Sequence, residues 1–307
     1  MKRIVGLIII NIGLIVALSL TTPYFFTKDN LVVLVDNMAL EAVALSGFTL
    51  LLISGHFDLS IDGIVALTGI VAGMLMNRGM FWPIAIFIAM LLSVAIGAIN
   101  GLVVVKARIN GLIATLTTWW ICVGLSLGMT KAIAPYNFPK EFLFFGQARI
   151  EGLRFLVVYA IVAIIVCSVI LHYTPIGAHI YAMGDNLEAC KMMGINTIKL
   201  GIWMYVLVGI LSGFIGLMTA ARLNAASPVA VDGMALRVIA AIVIGGVKLS
   251  GGEGTIIGGL LGLLLMHILG NSIIQLGISP YWQKVMIGGI LLVSVLTERL
   301  KFQFRSV

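Results

Sequence analysis

Four stretches of this chain carry side chains whose types and spacing could do chemistry. The first is Gly55-His-Phe-Asp-Leu-Ser60, with Asp62-Gly63 close behind, which sets His56, Asp58, Ser60 and Asp62 between two apolar runs. Ionisable groups among apolar segments are costly and face the interior of a helix bundle or water. Such a cluster therefore reads as a polar element of a pathway or gate, although Asp58, Ser60 or Asp62 can equally cap the helix that follows. The second is Gly111-Leu-Ile-Ala-Thr-Leu-Thr-Thr-Trp-Trp120. The hydroxyls of Thr115, Thr117 and Thr118 can bond their own helix or a passing polar solute, and Asn100 lies inside the apolar run just before them.

The third stretch runs from Ala178 to Ile195. Asp185 or Asn186 can open a short helix there and Gly194 can end it. A helix of about two turns between two apolar segments suits a surface position, where it can lie in a groove of a soluble partner or serve as a plain connection. The fourth, Ile244-Gly-Gly-Val-Lys-Leu-Ser-Gly-Gly-Glu-Gly254, is glycine-rich. Glycine-rich loops can cradle phosphates, but no Gly-Lys-Ser or Gly-Lys-Thr is present and no alternation of strands and helices surrounds it, so it reads as a tight turn between two broken helices.

No catalytic residues and no metal site are expected. The four histidines are dispersed, and neither a His-Glu-x-x-His nor a Gly-x-Ser-x-Gly motif occurs. An enzyme needs polar groups that converge. Cys122, Cys167 and Cys190 are far apart and show no metal-ligand or redox spacing. Glu41, inside an apolar run, is the one carboxylate placed to bind a coupling ion in an ion-driven transporter.

The elements that must position these residues are membrane helices. The chain has 307 residues, 61% of them hydrophobic and 10% charged, whereas soluble domains carry about a quarter charged residues. At about 20 residues per crossing the length accommodates about ten spans. The expected fold is all-α and polytopic, one domain over residues 1–307. Clear runs are Ile4–Thr22, Met38–Gly55, Phe81–Val105, Gly111–Thr130, Phe155–Leu171 and Leu200–Ala221. Gly63–Met76, Val238–Val247, Ile256–Leu269 and Val285–Thr297 are too short for a full crossing. Short, glycine-interrupted runs expose backbone groups that only protein or water can satisfy, so they mark transport pathways. Lys2 and Arg3 precede the first run, which is longer than a signal-peptide core and lacks a cleavage site.

Polar segments at about 131–154 and 172–199 separate the runs. Residues Ile53–Ser60 and Ile244–Ser250 form a faint internal repeat, each pairing an apolar run with glycine, a charge and Leu-Ser. The net charge of +7 is spread through short loops without a basic stripe, which excludes nucleic acid as a partner. With both ends on one face, the 19 Lys and Arg residues divide ten against nine, from Lys2 to Arg305, so charge alone does not orient the chain.

Together these blocks resemble one family. Gly47-Phe-Thr-Leu-Leu-Leu-Ile-Ser-Gly-His-Phe-Asp-Leu-Ser60, Ile99-Asn-Gly-Leu102, Ile113-Ala-Thr-Leu-Thr117, Ala182-Met-Gly-Asp-Asn-Leu-Glu-Ala189 with Gly194-Ile195, Ile239–Gly246 with Leu249-Ser-Gly-Gly252, and Tyr281-Trp-Gln283 are similar to the permease subunit of ribose/xylose/autoinducer-2-type ATP-binding-cassette (ABC) importers. The resemblance implies a vitamin-B12-importer-like (type II) architecture of about ten helices. It implies a second permease subunit, identical or homologous, two cytoplasmic ATPase subunits and a periplasmic or lipid-anchored sugar-binding protein. ATP and magnesium would be bound by the ATPases, with no cofactor in this chain.

By the same resemblance, Asp185, Asn186, Glu188, Ala189, Met193 and Gly194 form the coupling helix. That makes the 172–199 loop and both termini cytoplasmic in a bacterial inner membrane, and the 131–154 loop extracytoplasmic. His56, Asp58, Ser60, Asn100, Thr115 and Thr117 are the candidate translocation path or gate. His56 departs from the family, which has a second glycine there, and Arg108-Ile-Asn-Gly111 replaces a proline-containing turn. A nucleoside or branched-chain amino acid permease of the same superfamily, and an ion-coupled carrier built on Glu41, are the alternatives.

Overall fold

The computed structural model describes residues 2–150 and 152–303, so Arg305 of the charge count lies outside the described residues. In chain order the helices are α1 (Lys2–Thr21), α2 (Lys28–Ile53), α3 (Ile61–Asn77), α4 (Trp82–Gly101), α5 (Gly111–Thr130) and α6 (Lys140–Gln147). A two-residue hairpin, β1 (Arg149–Ile150) and β2 (Leu153–Arg154), comes next. After it come α7 (Phe155–Tyr173), α8 (Pro175–Asp185), α9 (Leu187–Met192), α10 (Thr197–Leu223), α11 (Met234–Ile244), α12 (Ile256–Gln275) and α13 (Trp282–Gln303). A five-residue π-helical segment, Leu102–Lys106, extends α4. Seven of the described helices are long and apolar enough to cross a membrane, and Ile61–Asn77, Met234–Ile244 and Trp282–Val293 are shorter apolar helices.

Five of the described helices start where the sequence supplies a side-chain cap. Thr27, Asn110, Asn186, Asn196 and Thr255 each accept a hydrogen bond from a backbone amide two or three residues on, satisfying donors that have no partner inside the helix. Several boundaries differ from the sequence expectation. Ile256–Leu269, expected to be too short for a crossing, belongs to the 20-residue α12, which is long and apolar enough for one and continues because Asn271 and Gln275 bond Asn30 of α2. The run expected from Met38 begins ten residues earlier, at Lys28, because Asp36 finds a partner inside the bundle and the exposed Asn37 finds one at its surface. The Asp36 carboxylate is buried against Arg154 at 2.9 Å, and Asn37 accepts from Arg222 at 2.5 Å. The 172–199 stretch holds two helices where one was expected, and Asp185 closes the first of them instead of opening the second.

The burial pattern is that of a bundle in lipid. Apolar side chains such as Ile9, Ile12, Val16, Phe87, Leu91, Ile161 and Ile165 point outward, while Asp36, Glu41, Asp58, Asp62 and Asn100 are buried. Helices α2 and α10 form the centre, with buried residues along nearly their whole length. Where α4 crosses α10 the backbones touch: a Cβ on Gly97 would lie 2.6 Å from the Tyr205 carbonyl oxygen, and one on Gly101 would lie 2.9 Å from Ile202 Cα. Without a hydrophobic drive between helices in lipid, such close approach supplies the van der Waals contact that holds them.

Two helices start in mid-bundle. Helix α10, with 27 residues, is about 40 Å long. The Tyr205 hydroxyl, eight residues along it, bonds the Phe57 carbonyl at 2.9 Å, and Val65 packs on Gly216 further on. The first turn of α3 therefore lies near the middle of α10. Helix α11, only about 16 Å long, begins at the same level, because its first amides bond Asp62 of α3. From there α3 runs to the end of the bundle that holds Tyr136 and Asn224, and α11 runs to the opposite end, near Gly55 and Gly184.

Candidate functional site

The segment between α2 and α3 is held by a chain of buried hydrogen bonds. Asp58 Oδ1 accepts from the Ser60 amide and the Ser60 hydroxyl, both at 2.6 Å. Asn100 Nδ2 of α4 donates to Ser60 Oγ at 2.8 Å, and Thr118 Oγ1 of α5 donates to Asn100 Oδ1 at 2.7 Å. Thr115 Oγ1 accepts from the Leu59 amide at 2.9 Å while donating to the Gly111 carbonyl. Tyr205 of α10 closes the set on Phe57. Asp58, Ser60, Asn100 and Thr115 are all shielded from solvent.

Four of the six expected path residues are thus brought together. They pin an extended segment to α4 and α5, with Tyr205 adding α10, and they are buried in this conformation. The geometry suits a gate or hinge, since moving the segment breaks bonds to α4, α5 and α10 at once. His56 adjoins the set without bonding to it: its Nδ1 faces the Ser54 hydroxyl at 3.1 Å, and its ring stands edge-on to Tyr205 at 5.8 Å. Thr117 stands apart, half a turn away on the exposed face of α5 and bonded only to Ile113 of its own helix among the described residues.

Asp62 does something the local sequence does not suggest. It caps α11 instead of α3, accepting from the Gly233 amide at 2.9 Å and the Ala235 amide at 2.8 Å. A carboxylate there satisfies orphan donors and meets the positive end of the helix dipole. Beside it, between the heads of α3 and α11 and the faces of α5 and α13, opens a cavity of about 320 Å³. Its walls are mostly apolar, with Trp119 on one side and Asp62, Arg237 and the Asp232–Lys284 ion pair on the polar side.

Glu41 of α2 is engaged by two partners. Arg237 Nε donates to one oxygen at 2.8 Å, and His267 Nε2 lies 3.1 Å from the other. The carboxylate joins α2, α11 and α12, with one partner on each oxygen.

Helix α9 projects from the bundle end where α2 and α11 finish. The Asn186 side chain accepts from the Ala189 amide at 3.0 Å, and Gly194, with φ of +79°, turns the chain away as the sequence predicts. Cys190 and the half-buried Ala189 seat the helix, while Asp185, Asn186, Glu188, Met193 and Gly194 are exposed. Glu188 bonds Lys191 at 2.7 Å, and that bond holds its carboxyl below the ordinary range. Leu187, Met192 and Met193 stand exposed around this ion pair, Met192 at 89%. Apolar knobs beside fixed charges make a surface suited to another protein.

The sequence profile of the family described as branched-chain amino acid transport system / permease component matches residues 31–295. The chain belongs to this permease family. The ribose import permease protein of Escherichia coli K12 is 34% identical to it over 305 residues, covering 98% of this chain and 94% of that protein. That of Bacillus subtilis is 34% identical over 291 residues, covering 94% and 90%. The L-arabinose ABC transporter permease protein of Azospirillum brasilense is 32% identical over 294 residues, covering 96% and 87%. No solved structure gives a significant match.

As a permease the chain reads more fully than its motifs did. Tyr205, and the Arg237 and His267 partners of Glu41, were not singled out as site residues from sequence. Each had a signal, a polar or ionisable side chain in or beside an apolar run, but its partner lies roughly 150 to 230 residues away and no local pattern names it. The partners of Asp62, backbone amides of Gly233 and Ala235, carry no side-chain signal.

Proposed function

We propose that this permease forms the membrane-spanning half of an ABC importer that moves a monosaccharide of the pentose class, or a close relative of one, into the cell. The near full-length similarity to ribose and arabinose permeases supports the sugar. The observation that carries the transport mechanism is α9. A short capped helix, seated by Cys190 and bearing exposed Leu187, Met192 and Met193 around the Glu188–Lys191 pair, is what a soluble ATPase can grip. Asp185, Asn186, Glu188, Ala189, Met193 and Gly194 act as the coupling element. This face and both termini are cytoplasmic, and the α6–hairpin face meets the binding protein that delivers sugar.

Two permeases, identical or homologous, enclose the path, and two ATPase subunits bind ATP and magnesium below. Hydrolysis belongs to those partners. ATP binding draws the ATPases together, α9 moves with them, and the segment carrying His56, Asp58 and Ser60 shifts against Asn100 and Thr115 to alternate access. Strong binding of sugar in the membrane would slow its release, and in the cavity beside Trp119 the charged groups are already engaged, Asp62 by the head of α11, Arg237 by Glu41 and Asp232 by Lys284.

The test is purification of the tagged chain in mild detergent. A copurifying ATPase, whose hydrolysis is stimulated by binding protein loaded with ribose or arabinose, is the expected outcome. Stimulation only by a nucleoside or a branched-chain amino acid would reassign the substrate. A chain that purifies alone and accumulates solute along an ion gradient would overturn the proposal.

A further inference from the structure

The two segments of the faint internal repeat, far apart in sequence, meet at the end of α8. The Gly252 amide of the loop between α11 and α12 donates to the Ile53 carbonyl, the last of α2, at 2.8 Å. The Tyr181 hydroxyl of α8 donates to the Gly254 carbonyl of the same loop at 2.7 Å. Between these bonds the three backbones lie directly on one another. A Cβ on Gly184 of α8 would fall onto the Ile53 carbonyl and the Gly252 amide. One on Gly251 would lie 2.8 Å from Gly55 Cα and 3.0 Å from Gly184 Cα. The loop is itself cross-tied, with the Lys248 amide bonded to the Glu253 carbonyl at 3.1 Å and the Lys248 and Glu253 side chains paired.

Side chains absorb small displacements by changing rotamer, whereas backbone packed on backbone has no such slack. From this junction the chain leads two ways. Through Gly55 it enters the 54–60 segment, which is bonded to α4, α5 and α10. Through Gly251 it enters the loop that joins α11 to α12. Asp185 and α9 follow Gly184 directly.

We infer that Tyr181 and Gly184 lock the end of α8, the turn after α2 and the 245–255 loop into one rigid transmission piece, which delivers the stroke received at α9 to α3 and α11 together. Tyr181 and Gly184 are positioning residues: they touch neither solute nor nucleotide. The inference rests on α9 being the ATPase contact.

The experiment uses the full complex, permease with its ATPases and binding protein, in lipid nanodiscs or vesicles, with ribose as the probe. Tyr181→Phe keeps the ring and removes one hydrogen bond. It is expected to lower ribose moved per ATP hydrolysed about five-fold, the factor a neutral hydrogen bond supplies, with the amount of assembled complex unaltered. Hydrogen–deuterium exchange of the wild type is expected to show the bonded amides of Lys248, Gly251 and Gly252 equally slow with and without ATP, since the piece moves without internal opening. Glu188→Lys, run in parallel, tests the ATPase contact. If Glu188→Lys uncouples transport while Tyr181→Phe does not, or if the amides of Lys248, Gly251 and Gly252 speed up when ATP binds, the rigid junction is refuted and the contact at α9 stands. If neither substitution alters coupling, the contact at α9 falls and the junction with it.

Discussion

At the scale of single residues, the threonines of α5 show how one position decides a role. Thr117 and Thr118 are adjacent and chemically identical, yet Thr118 reaches Asn100 at 2.7 Å from a half-buried position and Thr117 turns outward. Thr118→Val is expected to destabilise the protein by about 1–2 kcal/mol, since it leaves Asn100 Oδ1 without its donor. Thr117→Val is expected to stay within about 0.5 kcal/mol of wild type. The apparent melting temperature of the purified protein in detergent measures both. The sequence marks the threonine cluster as polar and membrane-embedded but does not choose among its members, because that choice depends on the rotation of α5 about its axis. Asp58, Ser60, Asn100 and Thr115 were each marked by a polar side chain in or beside an apolar run, and burial obliges such groups to find partners inside the bundle.

At the scale of elements, local grammar explains several helix starts, but the start of α11 is fixed from a distance. Asn110, Asn186, Asn196 and Thr255 cap the helix that follows within three residues, a relation visible in sequence. Asp62 caps a helix 171 residues away, a relation that exists only once α3 and α11 have met. Asp62→Ala is expected to weaken the joint by about 1–2 kcal/mol through loss of the cap and of the charge at the helix end. Limited proteolysis of the 224–233 segment in detergent reads this as faster cleavage. Helix α9 has the converse character, a surface with little internal role. Glu188→Lys and Gly194→Val are expected to leave the chain in the membrane and reduce sugar moved per ATP. Gly194→Val acts additionally through a left-handed backbone that disfavours a β-branched residue. Normal coupling in both variants, measured in reconstituted vesicles, would count against the ATPase contact at this helix.

For the whole molecule, composition and run length were enough to give an all-α bundle of long and short apolar helices. They did not give its order of packing, since lipid makes every apolar face equivalent and leaves small residues to decide which helices touch. The α4–α10 crossing depends on this. Gly97→Leu has no room against the Tyr205 carbonyl and is expected to separate the two helices. The resulting loss of folded chain from the membrane is measurable by fluorescence-detected size-exclusion chromatography, with Gly124→Leu, where a Cβ meets open space, as the well-tolerated control.

The shortness of α11 also bears on how the protein is made. Eleven residues reach about half of a hydrocarbon core some 30 Å thick, and Asp232 and Arg237 flank or sit within that stretch. A segment of this kind has too little apolar length to leave the insertion machinery for lipid unaided. It gains a place only when Glu41 of α2 and the head of α3, already in the membrane, offer its arginine and its first amides their partners. Biogenesis of this bundle is therefore expected to be partly post-insertional, with α11 entering a cleft that earlier helices have built. A cysteine engineered into α11 is expected to stay open to a membrane-impermeant reagent for longer in a Glu41→Ala chain, which lacks the partner of Arg237, than in the wild type.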